Sequence, residues 1–240
     1  MRTLTLSLSL LALLLFSPAV LANDDPHCLI PRDRDTTGRY WTKDTSVSVW
    51  IAPSVRSDFL VAVHDAVNTW ATHPKNSSGV VFTFVATEPV GGTNTLIFRE
   101  APLGLLPALY EMDAATKRAT ITINSAISNA TAAGMTLMHE MGHTYGTLDC
   151  WECAPGTSVM VERPADLNDT NWPISPTDCD VLAAMLGMGA ERKDRTGELP
   201  SNPGDNEPAC LPTYHYVELC WMGGDCIEFD YWDEQGHCFE

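Results

Sequence analysis

Residues 137–150 read LMHEMGHTYGTLDC. His139 and His143 stand four apart with Glu140 after the first, Gly146 follows three residues later, and Asp149 three after that. The surrounding run, from about Thr131 to Tyr145, reads as a helix. Residues four apart on a helix share a face, with Cβ atoms about 5–6 Å apart. Two imidazoles at that spacing can close on one cation, with Zn–N distances of about 2.0–2.1 Å. Glu140 projects beside such a cation rather than onto it. There a carboxylate can take a proton from a water that the metal has made acidic. Gly146 can end the helix because glycine tolerates positive φ, and the returning chain brings Asp149 within reach. Three protein ligands leave one position for water, which is the catalytic rather than the structural arrangement of zinc.

HEMGHTYGTLD, residues 139–149, resembles the extended zinc motif of the metzincin metallopeptidases. That group usually has His at the last position. Asp149 stands there instead, as in the snapalysin-like bacterial members, and a carboxylate is a harder donor than imidazole. Ser158-Val159-Met160 resembles the Met-turn that lies beneath the metal, and PTDCDVLAAML (176–186) resembles the closing helix of matrixin-like catalytic domains. The resemblance spans roughly residues 40 to 188, with its specificity concentrated in 139–160. It implies a zincin-like α/β fold, one catalytic Zn²⁺ held by His139, His143 and Asp149, and Glu140 as general base, with Gly146 and Met160 supporting the site. A structural Ca²⁺ is left open.

Other residues compete for these roles. Glu162 is a rival third ligand, as in zincins that take a Glu from a second helix, although 155–170 does not read as a helix. Cys150-Trp151-Glu152-Cys153 offers a redox pair or a closed structural zinc site with the two His, which would leave Glu140 without a task. Pro26 to Asp33 (PHCLIPRD) faintly resembles the cysteine switch of matrixin propeptides, with Cys28 filling the fourth zinc position. The competing reading of Cys28 is a disulfide that anchors the N-terminus.

The chain has 240 residues and a net charge of −17. Its first 22 read as a cleavable secretory signal: Arg2, the apolar run LSLSLLALLLF, and small residues at Val20-Leu21-Ala22. Removal takes Arg2 with it, leaving the mature chain at −18. Such a surface repels nucleic acid and anionic lipid, and no later apolar run is long enough for a membrane span. All eight Cys lie in the exported part, which favours four disulfides whose pairing is open among 105 possibilities. One of Cys150 and Cys153 is expected to tether the ligand loop to Cys179. Asn76, Asn129 and Asn168 lie in N-x-Ser/Thr sequons.

Hydrophobic periodicity supplies the frame. SVSVWIA (46–52), VVFTFVA (80–86), NTLIFRE (94–100) and RATITIN (118–124) read as strands, and a helix capped by Ser57 runs to near His73-Pro74. Residues 149–177 read as loops, and 178–188 as a short helix. Residues 191–209 read as a charged linker, and 210–240 as a Cys-rich hairpin appendage turning at Met222-Gly223-Gly224. The expected organisation is a signal (1–22), a catalytic domain (23–190), the linker and the hairpin. Fold class is α/β (α+β zincin-like), with a mixed twisted sheet, an active-site helix and a C-terminal helix.

The expected function is that of a monomeric, secreted zinc endopeptidase. It would hydrolyse protein or peptide substrates through a metal-activated water, with no nucleic-acid or membrane partner. The alternative is a non-catalytic secreted binding protein in which the zinc site is a structural staple.

Overall fold

The computed structural model describes residues 36–151, 153, 156–161, 166–197, 213–220 and 226–233. The main sheet contains β1 (Ser46–Ile51), β2 (Val81–Phe84), β3 (Thr95–Ala101), β4 (Ala108–Asp113) and β5 (Arg118–Asn124), in the order β2-β1-β3-β5-β4. β1 is parallel to β2 and β3, β3 is parallel to β5, and β4 is antiparallel to β5. The central strands are apolar and covered: Thr95 to Phe98 of β3 and Ala119, Ile121 and Ile123 of β5 are all buried. This is the composition a parallel strand with both faces covered demands.

Three helices complete this part: α1 (Leu60–Ala71), α2 (Ala130–Thr144) and α3 (Asp178–Gly187). α1 buries Val63, Ala66, Val67 and Trp70, the spacing of one helix face. Trp70 Nε1 donates to the carbonyl of Met138 at 2.8 Å, tying α1 to α2 deep in the core. The fold is therefore mixed α/β, as the periodicity implies. Among the described residues no helix is long and apolar enough to cross a membrane.

Several sequence expectations are corrected. Ser57 does not cap α1 through its side chain. Ser57–Phe59 forms a 3-10 turn, and α1 starts at Leu60 without a side-chain cap. The entry is fixed instead by Arg56, whose backbone N–H donates to Glu100 at 3.0 Å and whose guanidinium donates to the Ile127 carbonyl. β4 is absent from the periodicity, because ALYEMD mixes acidic and small residues and follows a proline. Residues 191–197, expected as the start of a linker, are a strand, β6 (Glu191–Gly197). It pairs antiparallel with β7 (Thr213–Cys220), and β7 with β8 (Cys226–Asp233), so the expected hairpin is the far side of a three-stranded sheet. Cys220 and Cys226 are register partners in the β7–β8 pair. The expected signal 1–22, Cys28 and Glu162 lie outside the described residues.

Candidate metal centre

α2 begins at Asn129, whose side chain accepts from Thr131 N–H at 2.8 Å, a cap that sequence periodicity did not single out. From Ala132 onward the helix is almost wholly buried, His139 and Glu140 included. A charged pair in the middle of a buried helix is costly without partners, and His139 has them. Its Nδ1 lies 2.8 Å from the Val159 carbonyl, while His143 Nδ1 lies 2.8 Å from the Thr147 carbonyl. A carbonyl only accepts, so each Nδ1 carries a proton and each Nε2 is turned toward the other, where a cation or a proton can sit. The two Nε2 atoms are 3.2 Å apart, with the rings nearly perpendicular.

Asp149 completes the group. Its Oδ1 lies 3.0 Å from His139 Nε2 and 3.5 Å from His143 Nε2. One ligand atom from each of the three residues falls within 4.8 Å of the others, and no further such cluster occurs among the described residues. The turn that delivers Asp149 depends on Gly146, at φ +86°. A Cβ there would also press at 3.1 Å on Tyr40 and on the backbone of Gly187 at the end of α3. Cys150 N–H then donates to the Met160 carbonyl at 2.7 Å, and Cys150 bridges Val161.

Cys150 is disulfide-bonded to Cys153. The expected tether of either residue to Cys179 is therefore wrong, and Cys179 is disulfide-bonded elsewhere. The same bond excludes a Cys-containing closed zinc site in this form, because the thiolates that would bind are consumed. Two cysteines three apart can close a ring wherever the intervening turn brings their Cα atoms together, here to 5.4 Å.

Met160 lies fully buried beneath the helix, against Gly142 between the two His. Its turn is gripped by Asp180 of α3, which sequence reading missed. Asp180 Oδ1 accepts from Ser158 Oγ, and Oδ2 accepts from Val159 N–H at 3.1 Å and from the Thr177 N–H and hydroxyl at 2.9 and 3.0 Å. Thr177-x-x-Asp180 is a capping box legible as a helix start. That the same carboxylate also holds the turn behind His139 is not local information.

Tyr145, inside the motif, packs rather than lining the site. It stacks on Trp70 at 5.4 Å, and burial pushes its phenol well above the usual range. Tyr110 of β4 was also missed. Its ring stacks on His143 at 6.0 Å, and its hydroxyl donates to the Arg39 carbonyl at 2.5 Å. Two cavities meet at Tyr110. One of about 350 Å³ is lined by Leu106, Leu109, His139, Glu140, His143 and Asp149 among others. Another of about 640 Å³ includes Arg39, Arg118, His143 and Leu148. Of the other His, His64 lies tilted against the Phe84 ring with centroids 4.0 Å apart, and His73 faces Asp178 at 3.6 Å.

Burial works most strongly against charge on His139. The hydrogen bond to Asp149, the charges of Glu140 and Asp149 and the Val159 carbonyl together outweigh it, so its pKa lies above 6.5. Asp149 lies below 3.8, chiefly because His139 hydrogen-bonds it, against the opposing effect of burial. The ligand set therefore prefers positive charge at its centre, as a proton or as a metal cation.

No protein-family model and no curated protein matches the sequence. Among solved structures, high choriolytic enzyme 1, a hatching-enzyme zinc protease of the medaka Oryzias latipes, matches at 12% identity over 50% of this chain and 55% of its own, with a TM-score of 0.36. Myroilysin matches at 16% identity over 48% of this chain and 53% of its own, with a TM-score of 0.31. The chain spans about half the length of each. At that degree of overlap neither likeness carries an argument about activity.

Proposed function

We propose that the chain is a zinc-dependent endopeptidase, exported after loss of residues 1–22, with His139, His143 and Asp149 as the metal ligands and Glu140 as the general base. The observation that carries this reading is the convergence of two Nε2 atoms and one carboxylate oxygen on a single point, with both Nδ1 atoms anchored on carbonyls. That donor set fits a divalent cation of borderline softness: two neutral imidazoles, one carboxylate, and carbonyl partners behind both rings.

The cation, when bound, supplies Lewis acidity, making water acidic and polarising a carbonyl. Glu140 lines the same cavity as the three ligands. It takes a proton from the attacking water and later returns it to the leaving amine. Tyr110, stacked on His143, holds that ring in place from the sheet side.

β4 supports a peptide substrate. It is an edge strand whose neighbour in the sheet is β5 alone, and Ala108, Leu109 and Tyr110 line the cavity beside the ligands. An extended chain can add to such an edge by main-chain hydrogen bonds, laying one peptide bond across the site.

The test is chelation and replacement. Casein hydrolysis should stop with o-phenanthroline and return with Zn²⁺. Glu140→Ala should keep the metal and lose the activity; a mutant cutting at the wild-type rate removes the general-base role. Loss of stability on chelation, with no activity at any stage, would leave a zinc-stapled binding protein instead.

A further inference from the structure

The outer faces of α1 and α2 meet in a groove of about 470 Å³ that shares no lining residue with either cavity at the metal centre. Asp58 of the leading 3-10 turn and Val61, Ala62 and Asp65 of α1 line it, at the three- and four-residue spacing of one helix face. α2 contributes Gly134, Met135 and Met138, from the part of the helix before the His ligands. The two helices come close there because the facing residues are small. A Cβ on Gly134 would stand 3.6 Å from the Ala62 methyl, an ordinary contact. Trp70, donating to the Met138 carbonyl, ties the same helices together in the core. The groove is therefore formed before anything binds, which spares a partner the cost of ordering it.

Its lining is apolar with charge of one sign. Val61 and Ile174 are 68% and 67% exposed within it. A single exposed aliphatic needs no explanation, but these two share one concavity with the nearly buried Met135 and Met138, and methionine adapts to varied apolar partners. Asp58 and Asp65 are the only charged residues that line it, and no Lys or Arg does so among the described residues. Asp58 lies 3.8 Å from Arg56 and suits the first turn of a helix. Neither reason holds for Asp65. It is exposed in the middle of α1, where aspartate is a poor helix former, and no ion pair holds it among the described residues. The N-terminal end of α2 also opens on the groove, but Asn129 Oδ1 already accepts from the Thr131 N–H there, and the partial charge of a helix end fades within one turn.

Asp58 and Asp65 are seven residues apart, which is two helical turns or about 10 Å along the axis. Val61 and Ala62 lie between them, three and four residues after Asp58. A second helix laid along the groove repeats that pattern on its own face. We propose that the groove between α1 and α2 docks a basic amphipathic helix of a partner protein, with Lys or Arg at i and i+7 facing Asp58 and Asp65, and with apolar side chains at i+3 and i+4 seated among Val61, Met135, Met138 and Ile174. No described strand borders the groove, so an extended chain has no edge to add to there. A second copy would set its own Asp58 and Asp65 against this pair, and anionic lipid is repelled for the same reason. The inference is independent of the peptidase reading, because groove and ligands use different residues.

The probe is an alanine-based helical peptide with Lys at i and i+7 and Leu at i+3 and i+4. It is titrated calorimetrically into zinc-loaded Glu140→Ala protein, so that it is not cut. A second peptide of the same composition sets the two Lys on opposite faces. The first should bind one per chain and at least about fivefold more tightly than the second, because attraction to the overall charge of −17 alone would bind both alike. Asp65→Asn should weaken the first peptide about two- to fivefold, and Val61→Gln about fivefold or more. In an otherwise wild-type chain, both substitutions should leave zinc content and casein hydrolysis unchanged. The methyl signals of Met135 and Met138 should shift on addition of the peptide, while that of Met160 stays in place.

Equal binding of the two peptides, or undiminished binding by folded Val61→Gln and Asp65→Asn proteins, would overturn the proposal. A concentration-dependent dimer that Val61→Gln abolishes would give the groove to a second copy instead. Adsorption to anionic lipid vesicles that the same substitution abolishes would give it to a membrane, and either result removes the basic helix.

Discussion

The sulfur of Met160 occupies the space that a side chain on Gly142 would need. Gly142 lies between the two His on α2, so this contact sets how closely the ligand helix rests on the Ser158-Val159-Met160 turn. The position is glycine for a packing reason, since its helical backbone would suit alanine better.

Gly142→Ala inverts the usual preference. In an open helix alanine is better than glycine by about 0.5–1 kcal/mol. Here the new Cβ overlaps Met160 Sδ and sits 3.0 Å from Thr147 Oγ1. A net loss of about 1–3 kcal/mol in denaturant unfolding is expected, as for other overpacked cores. Adding Met160→Ala should recover part of it, and additive losses in the double-mutant cycle would show that the two sites do not touch.

Asp180→Asn tests the grip on the turn. The carboxylate receives four hydrogen bonds, and an amide turns an N–H₂ toward donors that then have no acceptor. A cost of about 1–3 kcal/mol follows from leaving such groups unsatisfied. Because Val159 offers its N–H to Asp180 and its carbonyl to His139, zinc affinity should also fall, by about 10–100-fold. Unchanged zinc affinity in a folded Asp180→Asn protein would confine the residue to capping α3.

Proton and metal compete at the triad. His139 is raised above 6.5, so in the metal-free protein its contribution to stability is fully present below 6.5 and is lost as pH rises through its folded-state value. Asp149 is depressed below 3.8, so its contribution is present above 3.8 and is lost as pH falls through its folded-state value. The pair therefore favours the metal-free fold most between these limits, while zinc must displace the His139 proton. Calorimetric zinc titration in buffers of different ionisation enthalpy should show more proton release at pH 6.5 than at pH 8, with tighter binding at pH 8. Asp149→Asn should reduce the release.

Replacing Cys150 and Cys153 together by Ser opens a ring of four residues. Chain entropy for so short a loop gives a loss of about 2 kcal/mol. Zinc affinity should drop further than this global loss explains, because the ring begins directly after Asp149. A double Ser protein with wild-type zinc binding would show that Met160 alone holds the loop.

His139, Glu140 and His143 are legible because helix geometry is local: their spacing sets their faces, whatever packs around them. Gly146 is legible for the same reason, since its positive φ belongs to one residue. Asp149 is legible from its reach after the Gly146 turn and from its place in the motif that 139–149 resembles, and the structure has its oxygen 3.0 Å from His139. β3 announces itself as an apolar run because both its faces are covered, and β1 and β5 by alternation of buried Val, Ile and Ala with more polar neighbours. β4 does not, because an edge strand at a cleft has no fully covered face to pattern its sequence, and β6 hides among charges for want of any apolar run.

The sequence by itself determined which side chains share the face of one helix and where that helix must stop, because both follow from backbone geometry over a few residues. Only the tertiary structure decided what stands behind them. Asp180 reaches Ser158 and Val159 of the Met160 turn across separations of 22 and 21 residues, Tyr110 meets His143 from the sheet edge, and Cys150 pairs with Cys153 rather than with Cys179. Such contacts depend on how separate elements dock, and docking is settled by the shape of the whole core, which no short window of sequence contains.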